Sequence, residues 1–229
     1  MPNNVQILPK SGRPTITHEA LEKLLAPYKD ELQDYALSIV GIRGFFPSIG
    51  PSGENDRNVY DDAIILRIPS LNIFAAFNGN TDPSRIHQGF GTSKQTKGMA
   101  VLKTGVWPVY RFDRHNGNQP HEAICQRSGK VTVIRDGNPP YPDTGNFGLN
   151  IHRGGYTKTS SLGCQTIPPE QWDEFYTMAS EAAKKLWGSA WKNKTVAYVL
   201  LERKQHWILI HLLQYHLDNL SVQYIEINE

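Results

Sequence analysis

The sequence predicts a mostly β fold of the α+β class, with one helix near the N-terminus and one long helix after Cys164. Glycine (19) and proline (15) are frequent among the 229 residues, which favours a turn-rich β architecture over a helical bundle. Residues 58–133 consist of short apolar runs separated by Gly, Pro, Asn and Asp, a pattern typical of strands and turns. The hydrophobic content of 39% is sufficient for a sizeable core.

The first predicted element is a helix that begins after Thr17, a residue type that caps helix N-termini. Its apolar positions follow helical spacing and are Leu21, Leu24, Leu25, Tyr28, Leu32, Tyr35, Ala36 and Ile39. Pro27 is expected to kink this helix or to split it in two. Residues 41–58 are rich in turn-forming types and predict a loop.

Alternating or continuous apolar runs predict the strands that follow. These runs are residues 62–68, 72–77, 99–112, 122–126 and 130–135, followed by a short strand at 149–152 and a last one at 195–202. Residues 135–148 predict a long loop. Residues 168–187 predict the long helix, whose first turn accommodates proline.

These elements suggest three parts of the chain. Residues 1–57 form an N-terminal helical segment and loop, residues 58–202 a catalytic domain, and residues 203–229 a C-terminal extension. The extension carries the apolar run 206–213. This run could form extra strands or an interaction helix, because periodicity alone does not distinguish the two.

Composition excludes several functional classes. A formal net charge of +2 gives no reason to expect a nucleic acid partner. The longest apolar run is shorter than the roughly 20 residues that span a bilayer, so we expect no integral membrane segment. No apolar stretch of a signal peptide stands at the N-terminus, which predicts synthesis in a cytoplasm without an export signal. The oligomeric state stays open.

The two cysteines differ in their surroundings. Two are too few for a disulfide-stapled scaffold, and no Cys/His spacing indicates a zinc site. Cys125 alternates within a strand and is expected in the core. Cys164 follows Gly163 and precedes a predicted helix start, where helix N–H groups favour a thiolate. His152, at a predicted strand end, is positioned to act as its base.

The segment 151–166, which contains IHRGG and SSLGCQT, resembles the catalytic signature of the L,D-transpeptidase (YkuD-like) family. The resemblance implies that family's β-sandwich or barrel fold, with His152 as general base and Cys164 as nucleophile. It implies that Ser161 and Gly163 belong to the catalytic box, and that the backbone carbonyl of Arg153 orients the histidine. The backbone N–H groups of Gly163 and Cys164 are expected oxyanion donors.

The resemblance further implies that the substrate is the stem peptide of bacterial peptidoglycan. Leu162 and Thr166 depart from the family's box, which favours hydrolysis of the acyl-enzyme over its transfer to an amine. We therefore expect an endolysin-like cysteine peptidase, similar to cell-wall lysis proteins of phages, that acts on the wall after release. A delivered effector fits nearly as well. Alternatives are a cross-linking L,D-transpeptidase and a non-catalytic wall-binding or virion structural module.

Other chemistry-bearing residues complete the predicted site. The residues expected to contact substrate are Arg153, Gly154, Ser161 and His115. His115 and His121 stand near Asp113 and Glu122, and a metal site there is conceivable. Their spacing matches no motif, so solvated loop residues are the favoured interpretation, and we expect neither a metal nor a cofactor. Asp61 and Asp62 are interpreted as turn or strand-start residues.

Overall fold

The structure, a computed structural model, describes residues 7–46, 57–91, 93, 96–116 and 120–203. More of these residues lie in strands than in helices, and the predicted mostly β, α+β fold with its two helical regions is confirmed. The predicted C-terminal extension, apart from Arg203, lies outside the described residues. Within the described part, no helix is long and apolar enough to cross a membrane.

The secondary structure consists of strands β1 to β11 and helices α1 to α3. The strands are β1 (Ser38–Arg43), β2 (Asp62–Ile68), β3 (Ile73–Gly79), β4 (Ala100–Leu102), β5 (Gly105–His115), β6 (His121–Gln126), β7 (Val131–Arg135), β8 (Tyr141–Gly145), β9 (Ile151–Arg153), β10 (Gln165–Ile167) and β11 (Val196–Glu202). The helices are α1 (His18–Leu25), α2 (Lys29–Leu32) and α3 (Pro169–Trp187), with 3₁₀ turns at Ala26–Tyr28, Pro69–Leu71 and Gly188–Asn193.

One sheet of eight strands, in the order β10-β9-β6-β5-β11-β1-β2-β3, is nearly closed into a barrel. Asn80, which follows β3, bridges Thr166 of β10, and two backbone hydrogen bonds of 2.8 Å join the two residues. This bridge ties the two edges of the sheet together at one end of β3. A second sheet has the order β4-β7-β8.

The two faces of the large sheet pack against different helices. Alternate residues of a strand point to opposite faces, and neighbouring positions of β1 accordingly join different clusters. Ile39 packs with residues of α3, including Phe175, whereas Val40 packs with Leu21 of α1. All six residues of β1 are buried because both faces are covered. The domain boundary predicted at residue 57 falls between β1 and β2, which pair with each other.

The N-terminal helix begins as its sequence predicts. The side chain of Thr17 accepts a hydrogen bond of 3.1 Å from the Ala20 N–H and caps α1. Pro27 lies in the 3₁₀ turn that separates α1 from α2, so the expected split occurs there. The helical spacing predicted to continue to Ile39 was wrong beyond Leu32, since β1 begins at Ser38. In a strand buried on both faces, continuous apolarity hides the period that distinguishes strand from helix.

Three further differences concern strands near the site. The run 99–112 is not one strand but β4 and β5, which lie in different sheets; Gly105, with φ of 140°, begins β5. The predicted loop 135–148 contains β8, an edge strand whose position tolerates Pro142. Strand β10 separates Cys164 from α3, so the cysteine is not at the helix N-terminus.

Asp62 lies at the start of β2 and joins two connections at one end of the sheet. Its carboxylate accepts hydrogen bonds of 2.6 Å from the N–H groups of Gly44 and Thr81. The guanidinium of Arg43 pairs with Asp82 at 3.2 Å and donates to the Thr81 carbonyl at 3.0 Å. Burial raises the pKa of Asp62 above its ordinary value, and the nearby Asp82 adds to this shift.

This raised pKa predicts a pH-dependent stability. The folded state holds the Asp62 proton more tightly than the unfolded state, so its contribution is present below the ordinary pKa and is lost as pH rises through the folded value. We expect the free energy of unfolding of wild type minus that of Asp62→Asn to decrease as the pH rises from about 4 to about 8. Urea unfolding across this range measures it, and the exposed Asp173→Asn is the control. A flat difference would contradict the prediction.

Candidate active site

The parallel pairing of β9 with β10 brings the predicted histidine and cysteine together. Thr166 lies opposite His152, and Gln165 donates a backbone hydrogen bond of 2.8 Å to the Asn150 carbonyl. Cys164, which precedes β10, therefore lies beside Asn150, two positions before His152. Its sulfur and a ring nitrogen of His152 lie within 4.8 Å of each other.

His152 is held in one tautomer by its neighbour. Its Nδ1 lies 2.7 Å from the backbone carbonyl oxygen of Arg153. A carbonyl can only accept, so Nδ1 carries the proton of the neutral ring and Nε2 keeps its lone pair. The side chain is only 7% exposed, and burial lowers its pKa to about 4, with His115 and His121 adding to the shift. The imidazole is therefore a neutral proton acceptor near pH 7.

Cys164 is a protonated thiol in the resting site. Burial raises its pKa to about 11, although the Asn150 N–H, 3.4 Å from the sulfur, acts in the opposite direction. The thiol donates to the Gly148 carbonyl at 3.6 Å. The expected thiolate stabilisation by a helix N-terminus is absent, because β10 separates Cys164 from α3. Burial is the largest influence on the pKa of the thiol. The sulfur therefore needs a base at the moment of attack.

The turn before the cysteine is fixed by internal hydrogen bonds. Ser161 Oγ donates to the Cys164 carbonyl at 2.7 Å and accepts from the Gly163 N–H at 3.0 Å. Gly163 has φ of 134°, and a Cβ there would lie 2.6 Å from the Ala100 carbonyl oxygen, so only glycine fits. The Gly163 N–H, an expected oxyanion donor, is thus already engaged. The Cys164 N–H donates to no acceptor among the described residues.

Two further histidines face the pair from the neighbouring strands. His115 ends β5 and His121 begins β6, and their rings stack at 5.3 Å with an interplanar angle of 4°. The His115 ring centroid lies 4.8 Å from that of His152. The expectation of solvated loop residues was therefore wrong: both lie on paired strands. Burial lowers the pKa of His115, and the proximity of His121 adds to the shift.

The other predicted substrate contacts separate into two groups. The Arg153 side chain is exposed, so its guanidinium is accessible to a ligand. Ser161 is only 2% exposed and serves the cysteine turn instead. Gly154 is a packing position, because a Cβ there would lie 2.1 Å from the Tyr60 hydroxyl oxygen. That hydroxyl donates to the Gly155 carbonyl at 2.8 Å.

Sequence reasoning missed Gln126, whose side chain shapes the loop that faces the sulfur. Its Oε1 accepts three backbone N–H groups at 3.0–3.3 Å, from Phe147, Gly148 and Leu149. Its Nε2 donates to the carbonyls of Gly129 and Gly145. A glutamine at a strand end gives no local signal of this role, because the partners other than Gly129 lie 19 to 23 positions further along the chain.

The chain matches no protein-family model, and searches of curated proteins and of solved structures found no match either. The resemblance of residues 151–166 is therefore carried by those residues alone. The geometry of His152 and Cys164 stands independently of it, as do the contacts that hold them.

Gln126→Leu is expected to loosen the loop over the thiol. The substitution leaves buried backbone groups without partners, which lowers the free energy of unfolding by about 2–4 kcal/mol. The loop that shields Cys164 opens more often, so alkylation of the thiol becomes faster. Urea unfolding and iodoacetamide labelling with peptide mass analysis measure both effects. Gln88→Leu, on an exposed side chain, should change neither; equal effects in the two variants would refute the assignment.

Proposed function

We propose that the protein is a cysteine-dependent hydrolase of peptidoglycan stem peptides that forms an acyl-enzyme on Cys164. The observation that carries the proposal is the approach of the Cys164 sulfur to a ring nitrogen of His152 within 4.8 Å, with the tautomer of the ring fixed by the Arg153 carbonyl. A nucleophile, a base and a group that orients the base are the parts that acyl transfer requires. The stem-peptide substrate rests on the family resemblance.

In the first step, Cys164 Sγ attacks the carbonyl carbon of the scissile peptide bond. As the carbon–sulfur bond forms, the thiol proton moves to His152 Nε2, because Nδ1 remains bound to the Arg153 carbonyl. The neutral resting pair suits this transfer, since no preformed ion pair must be separated. The Cys164 N–H is the available donor for the oxyanion.

Collapse of the tetrahedral intermediate breaks the carbon–nitrogen bond. His152 returns the proton to the leaving amine, and the acyl group stays on the sulfur as a thioester. Water, deprotonated by the same imidazole, then attacks the thioester and releases a carboxylic acid and the thiol. An amine in place of water would give a cross-link, which is the alternative transpeptidase reaction.

The surface around the cysteine fits a charged peptide with apolar parts. Arg153 extends an exposed guanidinium from the residue next to the base, and guanidinium groups bind carboxylates in a bidentate manner. Leu162 and Tyr156, in the connection between β9 and β10, are 64% and 69% exposed. These side chains offer apolar contact beside the charge. They support the stem peptide as ligand because its D-amino acid residues carry both features.

Digestion of purified bacterial walls tests the proposed reaction. Wild type is expected to release stem-peptide fragments, and Cys164→Ala is expected to lose at least about 1,000-fold in rate because the nucleophile is gone. His152→Ala should lose a comparable factor, since the two residues act as a unit. Mass spectrometry of the muropeptides measures products and locates the bond.

Cys125→Ala is the matched control, because Cys125 is fully buried in β6 and should leave the rate nearly unchanged. A rate in Cys164→Ala equal to wild type would exclude the cysteine mechanism. Larger, cross-linked muropeptides in place of shorter ones would indicate transpeptidation. If no product forms and a thiol probe labels Cys164 no faster than Cys125, the non-catalytic wall-binding module is the better interpretation.

Arg153→Met separates the side chain of Arg153 from its backbone. The carbonyl still orients His152 in this variant, so kcat should be nearly preserved. Loss of a charged hydrogen bond to a substrate carboxylate should raise KM by about 10- to 100-fold. Steady-state kinetics on a soluble stem-peptide substrate measure the two constants. Lys158→Met removes an exposed charge from the same connection and is expected to leave KM within about twofold; an equal rise would reject the assignment.

A further inference from the structure

We propose that His115, His152 and Cys164 form a binding site for a divalent zinc-class cation, and that the cation inhibits the enzyme reversibly. The binding site stands on its own geometry. The inhibitory effect rests on the proposed function, because it follows from occupation of the nucleophile and its base by the metal.

The three potential ligand atoms, one from each side chain, all lie within 4.8 Å of one another. Zinc at about 2.0 Å from nitrogen and about 2.3 Å from sulfur requires ligand atoms about 3.3–3.5 Å apart in a tetrahedron. Side-chain shifts of about 1 Å therefore close the site around the ion. His115 is half-buried at the end of β5, so part of this residue remains exposed to solvent.

His152 is already oriented as a metal-binding histidine. Ligating imidazoles almost always donate their second N–H to a carbonyl or carboxylate, which fixes the ring and its tautomer. The Nδ1–Arg153 carbonyl contact of 2.7 Å is such an interaction, and it leaves the Nε2 lone pair to bind a metal. His121 stacks flat against His115 and supports its ring from the side.

The donor set selects the class of cation. Two imidazoles and a thiolate are typical of zinc and other borderline or soft transition metals, whereas calcium and magnesium require oxygen ligands. The nearby carboxylates are engaged elsewhere: Asp113 pairs with Arg127 at 2.6 Å, and Glu122 accepts the Tyr176 hydroxyl at 2.8 Å. Three protein ligands leave a fourth position for water.

Occupation by the cation removes the catalytic pair from use. The sulfur releases its proton and gives its lone pair to the metal, so it cannot attack a carbonyl carbon. Nε2 of His152 is likewise bound and cannot accept a proton. Only the S–H bond breaks, and its proton goes to water, so removal of the metal by a chelator lets the sulfur take a proton back and restores the free pair.

Calorimetric titration of the full chain with zinc chloride, after dialysis against a chelator, tests the site. Wild type is expected to bind one ion per chain. Cys164→Ala and His115→Phe, the second of which keeps a ring against His121, should each bind at least about tenfold more weakly. His18→Phe, on helix α1, is the matched control and should bind like wild type. Cobalt should give a thiolate-to-metal absorption band in wild type that Cys164→Ala lacks.

The wall-digestion assay with added zinc tests the consequence. Zinc should stop digestion and a chelator should restore it, and the zinc concentration for half inhibition should rise at least about tenfold in His115→Phe, whatever its basal rate. Unchanged zinc affinity in Cys164→Ala or His115→Phe would overturn the site. Loss of wild-type activity on chelation, with recovery on zinc addition, would overturn the inhibition. If walls are never digested, the proposed function fails while the calorimetry still decides the site.

Discussion

The parallel pairing of β9 with β10 is the constraint on which the candidate site depends. It sets Thr166 opposite His152 and Gln165 opposite Ile151, so Cys164 lies beside Asn150, two positions before His152. Parallel strands require the chain to return to the same end of the sheet. Residues 154–164 make that return, and they are held by Tyr60 and by Ser84, whose Oγ accepts the Ser161 N–H at 2.6 Å. The spacing of base and nucleophile is thus a property of strand register.

Burial decides the protonation of the pair once register has placed it. It raises the pKa of the Cys164 thiol to about 11 and lowers that of the His152 imidazole to about 4, so both are neutral near pH 7. A neutral thiol beside a neutral imidazole is ready for proton transfer during attack. The same neutral imidazole, which keeps a lone pair on Nε2, also suits a metal ion. One arrangement therefore accounts for both proposals.

Polar side chains outside the pair keep its surroundings in place. Gln126 holds the loop beneath the sulfur by five backbone contacts, and Ser161 closes the cysteine turn. Asp62 and Arg43 join the connections that lead from β1 to β2 and away from β3. Buried polar groups of this kind cost free energy unless each is satisfied, which makes them sensitive points for mutation.

The sequence by itself determined the fold class, the Thr17 cap, the break at Pro27, the long helix and the two residues of the proposed catalytic pair. These signals are local, because caps, prolines and apolar periods act within a few residues of the chain. It did not determine β1, β8 or β10, since strands that are buried on both faces, at a sheet edge or very short carry no clear period. Only the tertiary structure placed Gln126 against the loop that contacts the sulfur, and His115 beside His152. Those contacts join residues far apart in the chain, and strand pairing alone brings them together.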